Sequence, residues 1–544
     1  MQVMGKLIVF ALLCALCSVF SEPSQKVRFK TSPNIVFILT DDQDEILGGM
    51  TPMENVRKLL QEQGTTFSNM FTPTPICCPS RASILTGQYS HNHDTVNNSI
   101  SGNCSSPYWQ NTAEQKTFAV SAQAAGYKTY FAGKYLNQYG TTNAGGPEHV
   151  PPGWNEWFGL VGNSKYYNYT ISDNGKAVKH GDTYSTDYLT DLLANKSSEF
   201  IHSHMSTSFL DPFLVMISTP APHSPWDSAP QFSQRYLNLS APRGGSYNAN
   251  GKDKHWLLRQ ATNPMVDHSV KYLDNAFRKR WQTLLSVDDL VKKVMTALSD
   301  SGELDNTYII YSSDNGYHLG QFSLPIDKRQ LYETDVRIPL VIRGPGVSKN
   351  VTRHELVTSI DIGPTIVDIS TGGTGNFPPT MDGVSLMPLF NVTDKPKWRT
   401  DFLVEYQGEG SPLPPPNCPH GSAGESQCFP DCVCEDAYNN TYSCVRTMDL
   451  DGKVDIMYCE FTDTETFVEV YNHTVDPHQL KNIRNTINPQ VLVKMNQRLI
   501  TLGACTGKTC RAPGSYQTYA SRWMQWALES LNYLTNQLFL IASI

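Results

Sequence analysis

"NIVFILTDD", residues 34–42, is an unbroken apolar run closed by two acids. A short run of this kind, rich in β-branched residues, reads as a strand buried on both faces. The pattern recurs in "GYKTYFAGK" (126–134), "PFLVMISTPAPH" (212–223), "NTYIIYSSDNG" (306–316) and "IPLVIRGPG" (338–346). Helical stretches lie between them. "SVDDLVKKVMTALSDSG" (286–302) offers a serine cap, a 3.6-period apolar face and a closing glycine, which predicts a helix over that span. Strands alternating with helices predict an α/β fold, a mixed but mostly parallel sheet sandwiched by helices. In such a sheet ligands bind at the carboxyl ends of the strands. The polar residues that close these strands are therefore expected to converge on one site.

A chain of 544 residues is too long for one ordinary core and predicts a large domain with a smaller one. Its formal net charge of -8 provides no basic field for holding nucleic acid. A polyanionic substrate would have to be met by a local cluster of cations. "MQVMGKLIVFALLCALCSVFSEP" has one lysine, an apolar run too short for a comfortable membrane span, and then small residues. It reads as a signal peptide over residues 1–21, with no stable membrane insertion expected. Cys14 and Cys17 would leave with it, and eleven of the thirteen cysteines remain. That odd count fits ten paired thiols and one with another task. Sequons at Asn97, Asn103, Asn168, Asn195, Asn238, Asn350, Asn391, Asn439 and Asn472 agree with the secretory route.

Residues 33–395 form the expected large domain. Beyond residue 400, "EGSPLPPPNCPHGSAGESQCFPDCVCEDAYNNTYSC" is rich in Pro, Gly and Cys and reads as disulfide-stapled loop rather than a zinc site. The strand-like "TFVEVYN" (466–472) and helix-like "NPQVLVKMNQRLITLG" (488–503) follow, predicting a disulfide-rich α+β domain over residues 400–512. The tail, residues 513–544, is apolar at its end. A packed helix, an alternative terminus and a lipid-anchor signal all remain open for it.

A single acid at a strand end is ordinarily a turn or helix cap. Two pairs are different. Asp41 and Asp42 close one strand, and Asp314 and Asn315 close another. Such acids on one sheet edge repel one another unless a cation sits among them. Removing one, as in Asp314→Ala, is expected to relieve that repulsion while abolishing activity. Three carboxylates and an amide oxygen suit a hard, oxygen-seeking ion, calcium before magnesium. "ICCPSRASILTG" (76–87) then places Pro79 at an expected first helical position and Gly87 at the helix's end. Cys77 is expected just outside that helix start, where free N–H groups favour an anion, with Arg81 one turn in. Lys134, His223 and Lys328 lie near strand ends or in their loops. A surface lysine is usually just solvated. Together with an ion and a helix start, however, these cations describe a pocket for a tetrahedral oxyanion ester.

"CCPSRASILTG" resembles the sulfatase signature, C-x-P-S-R followed by L-T-G. From about residue 33 to 512 the chain further resembles the glucosamine 6-sulfatases of that family, through "TPAPHSPW", "DNGYHLGQFSLPIDKRQLYE", "VEYQGEG" and "CFPDCVCEDAYNNTY". The resemblance implies an alkaline-phosphatase-like fold and conversion of Cys77 to formylglycine (3-oxoalanine) by a formylglycine-generating enzyme. Cys78 then fills the signature's variable position and is left for pairing. The resemblance also implies one calcium ion held by Asp41, Asp42, Asp314, Asn315 and the residue-77 side chain. The aldehyde would hydrate to a gem-diol that attacks sulfur, with Arg81 holding it. Lys134, His223 and Lys328 would bind sulfate and stabilise the leaving oxygen.

The implied substrate is a 6-sulfate ester on terminal N-acetylglucosamine or glucosamine of heparan or keratan sulfate. The implied destination is the lysosome through the secretory pathway, or secretion. Many arylsulfatases follow the G-K pair with tryptophan and histidine, whereas here "GKYLNQYG" has Tyr135, Leu136 and Asn137. That histidine's task is absent or falls to His91, His93 or His318. Phosphatases of the same superfamily lack the C-x-P-S-R signature. Extracellular endosulfatases carry a long basic insertion that is not visible here, and other glycan or aryl sulfatases are further alternatives. A catalytically inactive glycan-binding protein has no reason to keep the signature and all the metal residues together. The oligomeric state is left open, a homodimer included.

Overall fold

The computed structural model describes residues 32–208, 210–375, 377–409, 431, 433–449 and 452–511. The expected signal peptide, the tail 513–544 and the Pro-rich stretch 410–430 lie outside the described residues. The strands are β1 (Asn34–Thr40), β2 (Thr65–Phe67), β3 (Met70–Phe71), β4 (Lys128–Lys134), β5 (Glu156–Leu160), β6 (Thr170–Asp173), β7 (Lys176–Lys179), β8 (Phe213–Ser218), β9 (Thr307–Ser313), β10 (Leu340–Arg343), β11 (Val351–Arg353) and β12 (Val357–Thr358). Ten of them form one sheet in the order β11-β2-β10-β9-β1-β8-β4-β5-β6-β7. Its centre, β9-β1-β8-β4-β5, is parallel throughout. The flanks β10 and β6–β7 run antiparallel to their neighbours. β1 is fully buried because its residues alternate between two cores: Ile35, Phe37 and Leu39 face one, Val36 and Ile38 the other.

The helices Cys77–Thr86, Phe118–Ala124 and Ile362–Ser370 cover one face of the sheet. Leu189–Ser208 and Asp267–Asp300 cover the other. The expected helix at 286–302 is the second half of this last one. Ser286 is not a cap but a buried residue in mid-helix, because the apolar face already begins upstream with Leu273, Ala276, Phe277 and Leu284. The helix stops before Gly302, whose φ is +70°. No described helix is long and apolar enough to cross a membrane.

A second sheet, antiparallel, joins β13 (Asp401–Tyr406), β14 (Tyr442–Met448), β15 (Asp455–Phe461) and β16 (Val468–Asn472) in that order. The helix Pro489–Gly503, capped by the Asn488 side chain, packs on one face through Val491, Met495, Leu499 and Leu502. The other face packs against the large sheet's loops, with the Phe71 and Phe402 rings stacked at 4.8 Å.

Disulfides join Cys78–Cys104, Cys444–Cys459 and Cys505–Cys510, and Cys77 is a free thiol. Eight of the nine sequon asparagines are at least partly exposed. Asn97 is not. It is 9% exposed and nests against Gly102, and its Oδ1 accepts from the Ser99 amide and hydroxyl.

Candidate active site

Four adjacent strands deliver the site. β9 and β1 pair in register from Asn34↔Thr307 to Thr40↔Ser313, so Asp314 and Asn315 leave the sheet beside Asp41 and Asp42. β8 flanks β1 on its other side and leads to His223, and β4 ends in Lys134. β4 approaches β8 closely because Gly133 adopts φ +110°. A Cβ there would lie 1.9 Å from the Ser218 carbonyl oxygen.

The signature helix begins at Cys77, two residues earlier than expected. Cys77 is its first residue rather than lying outside it, and Pro79 is its third. Proline is tolerated there because the amides of a helix's first turn have no intrahelical acceptor. Gly87 closes the helix at φ +66°, as expected.

Each aspartate divides its two oxygens. Asp41 Oδ2 accepts from Lys134 Nζ at 2.7 Å and from Ser164 Oγ, while Oδ1 lies 3.7 Å from Cys77 Sγ. Asp42 Oδ2 accepts from Lys328 Nζ at 2.8 Å, and Oδ1 lies 4.0 Å from the same sulfur. Asp314 Oδ1 accepts the amides of Asp42 and Asn315 at 2.9 and 2.8 Å. Its Oδ2 accepts from Arg81 Nε at 2.8 Å. Arg81 also donates to Lys134 O and Ser218 Oγ, and Nη2 lies 3.5 Å from Asp41 Oδ1. His223 Nδ1 is 2.7 Å from the Ser224 carbonyl, to which it donates, and Nε2 lies 3.9 Å from Asp42 Oδ2. All of these side chains are buried.

The electrostatics follow from this crowding. Burial pushes the Asp41 carboxyl up, but Lys134, His223, Arg81 and Lys328 more than offset it and hold it well below the usual range. For Asp314 burial wins over Arg81, with Asp41 and Asp42 adding repulsion, and its pKa rises to about 6. Burial opposes charge on His223, yet Asp41 and Asp42 keep the imidazole protonated well above its usual pKa.

The donor set suits a hard cation. Carboxylate oxygens of Asp41, Asp42 and Asp314 all lie within 4.8 Å of one another. Asn315 Oδ1 is buried without a hydrogen bond, while its Nδ2 rests on Asp42 Oδ1. An acceptor stranded in this way is satisfied by a metal ion.

The three alternative histidines are held elsewhere. His91 Nδ1 lies 2.9 Å from Glu405, and His93 pairs with Ser83 Oγ at 2.9 Å. His318 sits between Asp335 and Glu435 at 3.0 and 3.1 Å, and burial is outweighed by these carboxylates, which keep it protonated. Sequence reasoning missed Ser164, Ser218 and Arg280. Arg280 donates from the long helix to Asp42 O and Asp44 Oδ1 at 2.8 and 2.6 Å. Ser218, the last residue of a strand, carried the signal used for the other residues; Ser164 and Arg280 carried none.

The N-acetylglucosamine-6-sulfatase of Homo sapiens is 58% identical over 485 residues, covering 89% of this chain and 87% of the relative. The extracellular sulfatase SULF-1 homolog of Drosophila melanogaster is 45% identical over 393 residues, covering 72% of this chain but 34% of the relative. Among solved structures, BT4656 in complex with its substrate D-glucosamine-2-N,6-O-disulfate superposes with a TM-score of 0.68 at 22% identity, covering 88% of this chain and 98% of that one. A phosphonate monoester hydrolase from Silicibacter pomeroyi reaches 0.63 at 19% identity, over 86% and 94% of the two chains, so the fold by itself does not select the ester. The sulfatase family model, by contrast, matches residues 33–372 and takes in the signature helix and both acidic pairs. This chain belongs to the sulfatase family and is a sulfuric ester hydrolase.

Proposed function

We propose that this chain hydrolyses the 6-sulfate ester of a terminal N-acetylglucosamine or glucosamine residue in heparan or keratan sulfate. The observation that carries the reading is the convergence of Asp41, Asp42, Asp314, Arg81, Lys134, His223 and Lys328 around one free buried thiol, Cys77. The 58% identity to a relative named for that substrate supports it. In this reading Asp41, Asp42, Asp314 and Asn315 hold calcium beside residue 77. The ion would supply a fixed divalent charge beside the sulfate, and residue 77, oxidised to formylglycine and hydrated, would supply one hydroxyl as the nucleophile, the second hydroxyl expelling sulfate and restoring the aldehyde.

The chain's own residues do the rest. Lys134 and Lys328, each fixed on an aspartate, present ammonium groups to the sulfate oxygens. His223, with Nδ1 tied to Ser224 O, aims Nε2 inward and holds the proton that the leaving sugar oxygen takes. Arg81 is locked by Asp314, Ser218 and Lys134 O, and so orients the oxygen on residue 77 without moving. Donors preorganised in this way are commonly worth about 3 kcal/mol each in the transition state.

Residues 33–395 serve as the catalytic domain and 400–512 as the stapled α+β domain. A formylglycine-generating enzyme acts on the chain during maturation, and the sequons favour a lysosomal or secreted destination. The test compares heparan oligosaccharides carrying 6-sulfate only at the non-reducing end with others carrying it only internally. Release from the terminal position alone is expected. Equal release from both would replace the exo reading with endo cleavage, and preference for an aryl sulfate would remove glucosamine as the substrate.

A further inference from the structure

We propose that Glu409 is a positioning residue for this reaction, one carboxylate that fixes both the turn carrying Lys328 and the start of the helix carrying residue 77. The inference rests on the roles of Lys328 and residue 77 in the proposed function. Lys328 points its Nζ at Asp42 from between two residues with positive φ, Asp327 at +143° and Arg329 at +85°. Such conformations are costly for a non-glycine residue and persist only where the surroundings impose them.

The surroundings are explicit. The Arg329 amide donates to Pro75 O at 3.2 Å, two residues before Cys77. Its carbonyl accepts from Tyr442 Oη at 3.1 Å and Asn440 Nδ2 at 3.4 Å, both from the C-terminal part of the chain. Its Nη1 binds both Asp327 oxygens at 2.8 and 2.7 Å, and its Nε donates to Glu409 Oε2 at 2.8 Å.

The other Glu409 oxygen works on the helix. Oε1 accepts the Asn98 amide at 2.7 Å, and Asn98 Oδ1 accepts the Cys78 amide at 2.9 Å. The Cys78 amide is one of the helix-start donors that have no acceptor within the helix. The Cys78–Cys104 disulfide ties the same loop to the same turn. Glu409 is anchored in turn by its own amide, which donates to Asp436 O at 2.9 Å. Its side chain is 12% exposed and that of Arg329 7%, so the pair is largely shielded from solvent. Glu409 thus touches neither Lys328 nor residue 77, yet sets the backbone of both. Transition-state stabilisation by preorganised groups is sensitive to displacements of this kind, whereas ground-state binding is less so.

Glu409→Gln keeps the shape but turns one acceptor into a donor, so it cannot serve both Arg329 and Asn98. The measurement is steady-state kinetics of the full chain on 6-sulfated N-acetylglucosamine, with kcat expressed per molecule carrying the residue-77 aldehyde, counted by peptide mass. A tenfold or greater fall in kcat with KM within threefold of wild type is expected. Tyr442→Phe, which removes one hydroxyl from the Arg329 carbonyl, is expected to show the same split with a kcat loss of threefold or more. A kcat within threefold of wild type for Glu409→Gln overturns the proposal, as does a loss confined to yield or melting temperature. If Glu409→Gln is not secreted, the threefold criterion on Tyr442→Phe decides alone. A wild-type enzyme inactive on this sugar tells against the proposed substrate only; the same comparison is then read on an aryl sulfate.

Discussion

Arg81 reaches Asp314 with Nε at 2.8 Å, and both side chains are buried. This contact reverses an expectation drawn from repulsion among the acids. Asp314→Ala removes one of three like charges, but it leaves the buried Arg81 Nε without its acceptor, although the other guanidinium nitrogens keep Ser218, Lys134 O and Asp41. Leaving one buried donor unsatisfied typically costs about 1–3 kcal/mol. Asp314→Ala should therefore lower stability in denaturant titration of the full chain by about that much, whereas Asp314→Asn, which keeps an acceptor for Arg81, should lose far less; both should lose activity. An alanine variant as stable as wild type would restore the repulsion argument. At position 77 the prediction concerns chemistry alone. Cys77→Ser presents a single oxygen and cannot mature to an aldehyde, so turnover should fall by roughly 10³-fold or more with the melting temperature unchanged. Finding an unmodified thiol at residue 77 in fully active enzyme would refute the assignment. Asp41, Asp42, Lys134, Asp314 and Asn315 were legible because polarity interrupts an apolar strand end, Cys77 and Arg81 because they open the signature helix, and His223 and Lys328 because they follow strands as candidate cations. Ser164 and Arg280 reach the site from an irregular loop and a long amphipathic helix, where a serine or an arginine is ordinary.

The short helix Ser90–His93 carries two of the histidines that the sequence offered for the missing one. Its His91 was an alternative for a sulfate-binding histidine. Instead Nδ1 meets Glu405 of β13 and Nε2 meets the Cys505 carbonyl at 3.0 Å, which clamps the C-terminal sheet to the catalytic part. Burial opposes the charge on His91, but the hydrogen bond and the charge of Glu405 raise its pKa to about 9, while Glu405 is lowered. A raised pKa contributes stability that is full below the unfolded value of 6.5 and is lost as pH rises through about 9. The contribution is on the order of 2–3 kcal/mol at pH 6. Melting temperature should thus fall from pH 6 to pH 9.5 more steeply in wild type than in His91→Gln; parallel slopes would show that the clamp carries no charge. Helix limits were misread as well. Pro79 fits any of the first three helical positions, so the sequence could not choose Cys77 over Pro79 as the start. Ser286 imitated a cap because a serine before an apolar period looks the same whether or not the helix has already begun.

At the scale of the molecule, the shift in composition near residue 400 suggested two units, and a ten-stranded and a four-stranded sheet are present beside the short β12-β3 pair, but composition says nothing about how far their cores merge. One buried cluster contains Phe71 of β3 and Ile76, Leu331 and Tyr332 from loops together with Phe402, Val404, Tyr442, Met457 and Tyr471 from the four-stranded sheet. Buried charge crosses the same boundary. Arg446 of β14 binds Glu333, and although burial pushes that carboxyl up, Arg446 with His473 and Arg337 brings it down to about 2. Interfaces between independent domains are usually more polar than this, and looser. The positions of Lys328 and of the Cys77 helix depend on this seam through Tyr442 and Glu409, so the site cannot outlast the seam. We therefore expect the full chain, disulfides intact, to unfold in a single calorimetric transition, with activity lost on the same curve. A fragment ending near residue 399 should expose the Phe71 and Tyr332 surface and aggregate rather than fold. Two resolved transitions, with the sulfatase site still active between them, would show instead that the catalytic part stands alone and that the second sheet is an attachment.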